Sequence, residues 1–186
     1  MSPFYGTNVS STEATRNEGY GEQLVQYYFG TKEALLLFAT QQLAAQYAAR
    51  VMARINGLKE ADGQARPRDI IAAILTEAVP ADDERRTFTI IYTAYMALSL
   101  TDPALAITPL VRNSNAVRDV IAAHLRAAQA AGDMPARLDP ELEAMILMTM
   151  SAGLGTSVLA GHSSPGQAQD VIEYHLSRLF PAYQPA

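Results

Sequence analysis

The chain has 186 residues, 49% of them hydrophobic, which is enough to bury about two-thirds of the unfolded surface in one or two modules. Nineteen acidic residues against 14 basic ones give a net charge of −5, so no global basic field draws in nucleic acid, and the absence of cysteine excludes disulfides and thiolate metal sites. The first twenty residues lack a basic start followed by an apolar run, and no window holds about 18 uninterrupted apolar residues, so a cytoplasmic protein without a leader or a membrane partner is expected.

Met1 to Val9 is short and rich in Gly, Pro and Asn, and Glu18-Gly19-Tyr20-Gly21 reads as a turn. Then comes Gln26-Tyr27-Tyr28-Phe29-Gly30-Thr31-Lys32-Glu33-Ala34-Leu35-Leu36. Gly30 lets the chain bend between two helices, and Thr31 can cap the helix that follows. Lys32 and the hydroxyls of Tyr27 and Tyr28, with Gln26 beside them, are groups that can reach phosphates. The same aromatic residues can equally plug a core.

From Thr31 to about Gly57, Leu36, Leu43, Tyr47, Val51, Ile55 and Leu58 recur at helical steps and mark one long amphipathic helix. Gly57 to Pro67 is read as a polar connector. Pro67 opens a short helix through Ile70, Ile71, Ile74, Leu75 and Ala78, which ends at Pro80. A third helix starts near Asp82 or Asp83 and carries Phe88, Ile91, Tyr92, Tyr95, Met96 and Leu98 as far as Thr101. Asp102-Pro103, Asp139-Pro140 and Ser164-Pro165 each set a capping side chain before a first-turn proline, with Gly132 and Gly161 as stops. The second half is therefore expected as a helix from Pro103 to about Ala131, with a break allowed near Asn113, another from Pro140 to Ala160, and a last from Pro165 to Phe180. No period-two apolar run competes, so the fold class is all-α.

The helix from Pro140 is apolar around much of its girth, with Met145, Ile146, Met148, Met150, Leu154, Val158 and Leu159. Such a helix must be covered on more than one face, either by a second copy of the chain or by burial within one protomer. Met148, Leu159, Ile172, His175 and Leu176 are the candidate interface residues. Met52, Phe88, Tyr92, Tyr95, Met96, His124, Met145 and Met148 form a half-polar, adaptable set of the kind that lines sites for small apolar or aromatic ligands. Packed as a helical stripe, the same residues make plain core. Tyr92, Tyr95, Met96 and His124 are expected to face one cavity.

The stretch from Gln26 to Leu36, with Phe29 ten residues after Gly19, resembles the tetracycline-repressor (TetR) family of bacterial one-component regulators. Ala127-Ala128-Gln129-Ala130-Ala131-Gly132-Asp133 and the closing pair Asp139-Pro140-Glu141-Leu142 to Ser151-Ala152-Gly153-Leu154 are similar to that family's ligand-binding and dimerisation half. The resemblance covers Gly19 to Phe180. It implies a helical ligand-binding and dimerisation domain over residues 31–186, preceded by a helix-turn-helix region over 1–30. It also implies a homodimer, a small effector between the middle helices and double-stranded operator DNA as partners, and no cofactor.

Upstream the spelling departs from the family. Ala14 and Thr15 stand where a large apolar residue and an alanine are usual, Glu18 replaces a small residue and Tyr20 a valine. Only Arg16 and Lys32 are cationic before Arg50, so a truncated or remodelled reader that binds duplex DNA weakly is expected.

Catalysis finds no motif: there is no phosphate loop, nucleophile elbow or helical zinc pair, and Asp82-Asp83-Glu84 and Glu141-x-Glu143 sit in first helical turns where the helix dipole stabilises them. Two readings remain. One is a ligand-responsive regulator of repressor type, and the other is a small-molecule-binding dimer that has lost specific DNA recognition.

Overall fold

The computed structural model describes residues 32–101 and 109–181. Gln26, Tyr27, Tyr28, Gly30, Thr31 and the Asp102-Pro103 cap lie outside them, as does the side chain of Lys32. The chain divides into two compact units, residues 1–39 and 40–186, where the sequence had placed a boundary near residue 30. Six helices occupy the described residues: α1 Lys32–Asp62, α2 Pro67–Glu77, α3 Asp83–Ser99, α4 Pro109–Ala131, α5 Pro140–Leu159 and α6 Pro165–Leu179. There is no strand among the described residues.

Helix ends follow side-chain chemistry. Asp82 accepts from the Arg85 amide, Asp139 from the amides of Glu141 and Leu142, and Ser164 forms a reciprocal box with Gln167. Pro67, Pro140 and Pro165 occupy first-turn positions where the missing N–H costs nothing. Gly132 and Gly161 take positive φ just beyond the ends of α4 and α5. Two expectations need correction. Helix α1 runs past Gly57 to Asp62, because an interior glycine costs only about 1 kcal/mol and half-buried Leu58 continues the apolar face. The actual stop is Gly63 at φ 75°, whose N–H bonds the Lys59 carbonyl. Helix α4 is continuous through Asn113.

Short α2 lies at the centre of unit 40–186. It packs against α4, α5 and α6, while α4 also packs on α5, α3 on α5 and α5 on α6. Seven of its eleven residues are buried, from Ile70 to Glu77 with only Ala72 excepted. Ile71, Leu75 and Val79 meet Ile121 and Leu125 of α4, Leu147 of α5, and Ile172 and Leu176 of α6 in a core closed to solvent. Helix α1 adds Val51 and Ile55 to that core, with Tyr47 packed against it.

Helix α5 is long and apolar enough in composition to cross a membrane, with mean hydropathy 1.4. Its apolar residues fall on two opposite lines. Ala144, Leu147, Ser151, Gly155 and Val158 are buried inward, while Leu142, Met145 and Ile146 lie outward and exposed. Gly155 is where α5 crosses the turn after α2, and a Cβ there would lie 3.0 Å from the Ala78 carbonyl oxygen and 3.4 Å from Thr89 Cγ2. No atom stands within 4 Å of the corresponding position at Gly57.

Gly155→Ala should therefore destabilise by about 1–3 kcal/mol through overpacking against backbone, whereas Gly57→Ala should stabilise by about 0.5–1 kcal/mol. Urea unfolding of both variants beside the parent checks this, and equal midpoints for the two would contradict the close crossing.

Candidate functional site

The C-terminus of α2 gathers polar groups from three other helices. The last four carbonyls of a helix have no acceptor role within it and need outside donors. The Tyr47 hydroxyl of α1 donates to the Ile74 oxygen at 2.7 Å, and the Ser151 hydroxyl of α5 donates to the Leu75 oxygen at 3.1 Å. Arg85 of α3 reaches the Thr76 oxygen through Nη1 in a long 3.5 Å contact. Burial, and next the charge of Glu77, push the Tyr47 phenol far above its ordinary range, so it stays a donor.

Glu77 ends this helix with a carboxylate that is only 4% exposed. A buried carboxylate at the negative end of a helix dipole requires cations. Arg50 supplies one through Nε to Glu77 Oε1, and Arg54 stands behind it with Nη1 4.0 Å from Oε2. The other edge of Arg50 reaches the first turn of α3, with Nη1 3.5 Å from Glu84 Oε2.

Two open grooves border this cluster. The larger, about 540 Å³, runs between α1 and the start of α3 and is lined by Leu43, Gln46, Ala49, Arg50, Asp83, Glu84 and Thr87. The smaller, about 340 Å³, lies among α1, α2 and α6, with Arg54, Leu58, Arg68, Asp69 and Glu173 on its walls. Neither is lined by Tyr92, Tyr95, Met96 or His124.

The ligand-pocket candidates scatter. Phe88 stacks between Tyr47, at 5.4 Å, and Tyr92, at 6.0 Å, forming a three-ring column whose far hydroxyl meets Ser114 Oγ at 3.2 Å. Tyr95 is buried, Met96 is half-buried, and Met148 packs against the main core. Met52 and Met145 stand about half exposed, and Met145 belongs to the outer line of α5 rather than to the interior with Tyr95. His124 is half-buried, and burial lowers its imidazole below the ordinary histidine range. The sequence reading missed Arg50, Glu77 and Glu84. The one signal available was a carboxylate closing an otherwise isoleucine-rich helix.

The expected dimer residues also divide. Ile172 and Leu176 are wholly buried in the protomer core and cannot face a partner, which corrects that expectation: they lie on the side of α6 turned to α2 and α5. Met148 and Leu159 are half-buried. His175 sits at the seam, with Nε2 3.6 Å from Glu143 Oε2 of α5. The outward apolar face consists instead of Leu142, Met145 and Ile146 on α5 with Val171 and Tyr174 on α6. Thr149, Ala152 and Gly153 continue the α5 line as small exposed residues.

The described residues thus form an all-helical bundle closed by two capped helices, with exposed apolar side chains along α5 and α6. Residues 67–181, more than half of the chain, match the family model of the BetI-type transcriptional repressor, C-terminal. The chain belongs to the TetR family of transcriptional regulators. The fold is similar to a TetR-family transcriptional regulator from Rhodococcus sp., at TM-score 0.70 and 22% identity over 85% of this chain and 80% of that one. A transcriptional regulator from Rhodococcus sp. Rha1 is also similar, at TM-score 0.69 and 19% identity over 87% of this chain and 80% of that one. No curated protein sequence matches.

His124 carries a pH consequence. A folded-state imidazole held low binds fewer protons than the unfolded one, so protons favour the unfolded chain as pH falls through the ordinary range near about 6.5. Stability should drop between about pH 7.5 and about pH 5.5, and His124→Gln should flatten that slope in pH-resolved thermal unfolding. An unchanged slope in the variant counts against the assignment.

Proposed function

We propose that this chain is a cytoplasmic, homodimeric, ligand-responsive transcriptional regulator of repressor type. The observation that carries the reading is the outward apolar face of α5 and α6, in a chain whose family is that of transcriptional regulators. Leu142, Met145, Ile146, Val171 and Tyr174 form an exposed patch of large side chains on two adjacent helices, and a second copy offers the same patch in return. Burying each such side chain contributes about 1.5–3 kcal/mol. The small residues Thr149, Ala152 and Gly153 let the facing helices approach closely.

The effector is a small apolar or aromatic molecule, and the space for it lies between the middle helices. The Tyr47–Phe88–Tyr92 column and the groove beside Arg50 and Glu84 support this, because the first brings aromatic surface and the second polar groups to where α1 meets α3. Operator DNA is the macromolecular partner through residues 1–30. The scarcity of cations there, Arg16 and Lys32 alone before Arg50, favours a weak and poorly selective contact, and it keeps alive the second reading of a ligand-binding dimer without specific DNA recognition.

Sedimentation of the parent at micromolar concentration should return the mass of a dimer, and Ile146→Glu combined with Val171→Glu should return a monomer with unchanged helical circular dichroism. A parent that is monomeric throughout would remove the basis of this reading.

Fluorescence anisotropy with labelled duplex DNA at low and at moderate salt separates the two functional readings. Weak binding that vanishes with salt and ignores sequence is the expected result. Salt-resistant binding of one sequence in the nanomolar range would show an intact reader.

A further inference from the structure

We propose that Glu77 and Arg50 form the seat of α1, a buried charge contact that fixes where the long helix sits and ties that position to the start of α3. Three observations carry it. First, Glu77 is 4% exposed, so its charge depends on its cationic neighbours, and both Arg50 and Arg54 come from α1. Second, α1 meets the rest of the described bundle through a short run of side chains: Tyr47, Arg50, Val51, Arg54 and Ile55.

Third, the two edges of the Arg50 guanidinium do different things. The Nε edge holds buried Glu77, while Nη1 reaches Glu84, which is 81% exposed and 3.5 Å away in the first turn of α3. A guanidinium is a rigid fork, so a shift of either partner is felt by the other. The wall of the larger groove includes Arg50, Asp83 and Glu84, which places the looser of the two contacts where an occupant can reach it. Arg50 and Glu77 are positioning residues: the tight contact holds α1, and the loose one transmits displacement of α3.

The purpose of this device rests on the regulator reading, but the seat itself can be tested without effector or operator. Backbone hydrogen exchange of the full chain reports each helix separately. Removing Arg50 leaves Glu77 buried with only Arg54 near it, so Arg50→Met should speed exchange in residues 43–58 of α1 by about ten-fold or more, with Pro140–Leu159 changed by no more than about two-fold. Glu77→Gln removes the charge itself and should have a smaller effect, and the double variant should exchange more slowly than Arg50→Met alone, because no unpaired carboxylate is then buried.

Arg50→Lys keeps a cation for Glu77 without the fork. It should leave α1 protected while amides at the start of α3 exchange faster. Uniform acceleration across all helices would mean a merely structural pair, and unchanged α1 exchange in Arg50→Met would overturn the seat outright. Dimer mass and DNA anisotropy measured on the same samples keep this result separate from the functional reading, since a monomeric or non-binding parent can still show the localised exchange.

Discussion

The constraint on which unit 40–186 depends is the need to satisfy the C-terminal end of α2 inside the protein. Most helices release their last carbonyls to water. Helix α2 cannot, because Ile74, Leu75, Thr76 and Glu77 are all buried. The Ala78 and Val79 amides take part of that demand at Leu75 and Thr76, and side chains from α1, α3 and α5 take the rest: Tyr47 and Arg50, Arg85, and Ser151. Each donor fixes one helix against α2 at a specific register. An apolar core alone tolerates small slides, whereas a hydroxyl at 2.7 Å from a carbonyl oxygen does not.

Those donors also explain why the polar residues of this bundle lie where they do. Ser151 stands in the inward line of α5 between Leu147 and Gly155, a position where an aliphatic residue would pack as well but would leave the Leu75 carbonyl with one partner fewer. Gly155 one turn later lets α5 pass the Ala78 carbonyl at a distance that a Cβ would crowd. The aromatic column Tyr47–Phe88–Tyr92 runs beside the same junction, so polar and aromatic groups gather where α1 meets α3.

The outer face of α5 and α6 obeys the opposite rule. Among the described residues it stays exposed, and it consists of apolar groups that gain by leaving water. Polar contacts within the protomer and exposed apolar side chains therefore divide along α5: Ser151 and Gly155 on its inner line, Leu142, Met145 and Ile146 on its outer one.

The sequence by itself determined the helices, because their signals are local. Capping Asp and Ser residues before proline, glycines beyond helix ends and three- and four-residue apolar steps act within one or two turns. The boundaries of α2, α3, α5 and α6 follow from them. Resemblance in the Gln26–Leu36 and Ala127–Leu154 stretches carried the family. Local signals failed where two effects nearly balance, as at Gly57, where side-chain burial outweighed a glycine. They failed wholly for the faces of α5 and α6. Helix α5, apolar on all sides, has no period that selects an inward line, so Met145 could be assigned inward; α6 has one apolar stripe with Ile172 and Leu176 on it, but a stripe does not say whether it faces the protomer core or a partner. Only the tertiary structure decided that question, together with the meeting of Arg50, Glu77 and Glu84. Glu77 and Glu84 lie 27 and 34 positions along the chain from Arg50 (77 − 50 and 84 − 50), and the three residues sit on three helices whose mutual placement no local spacing encodes.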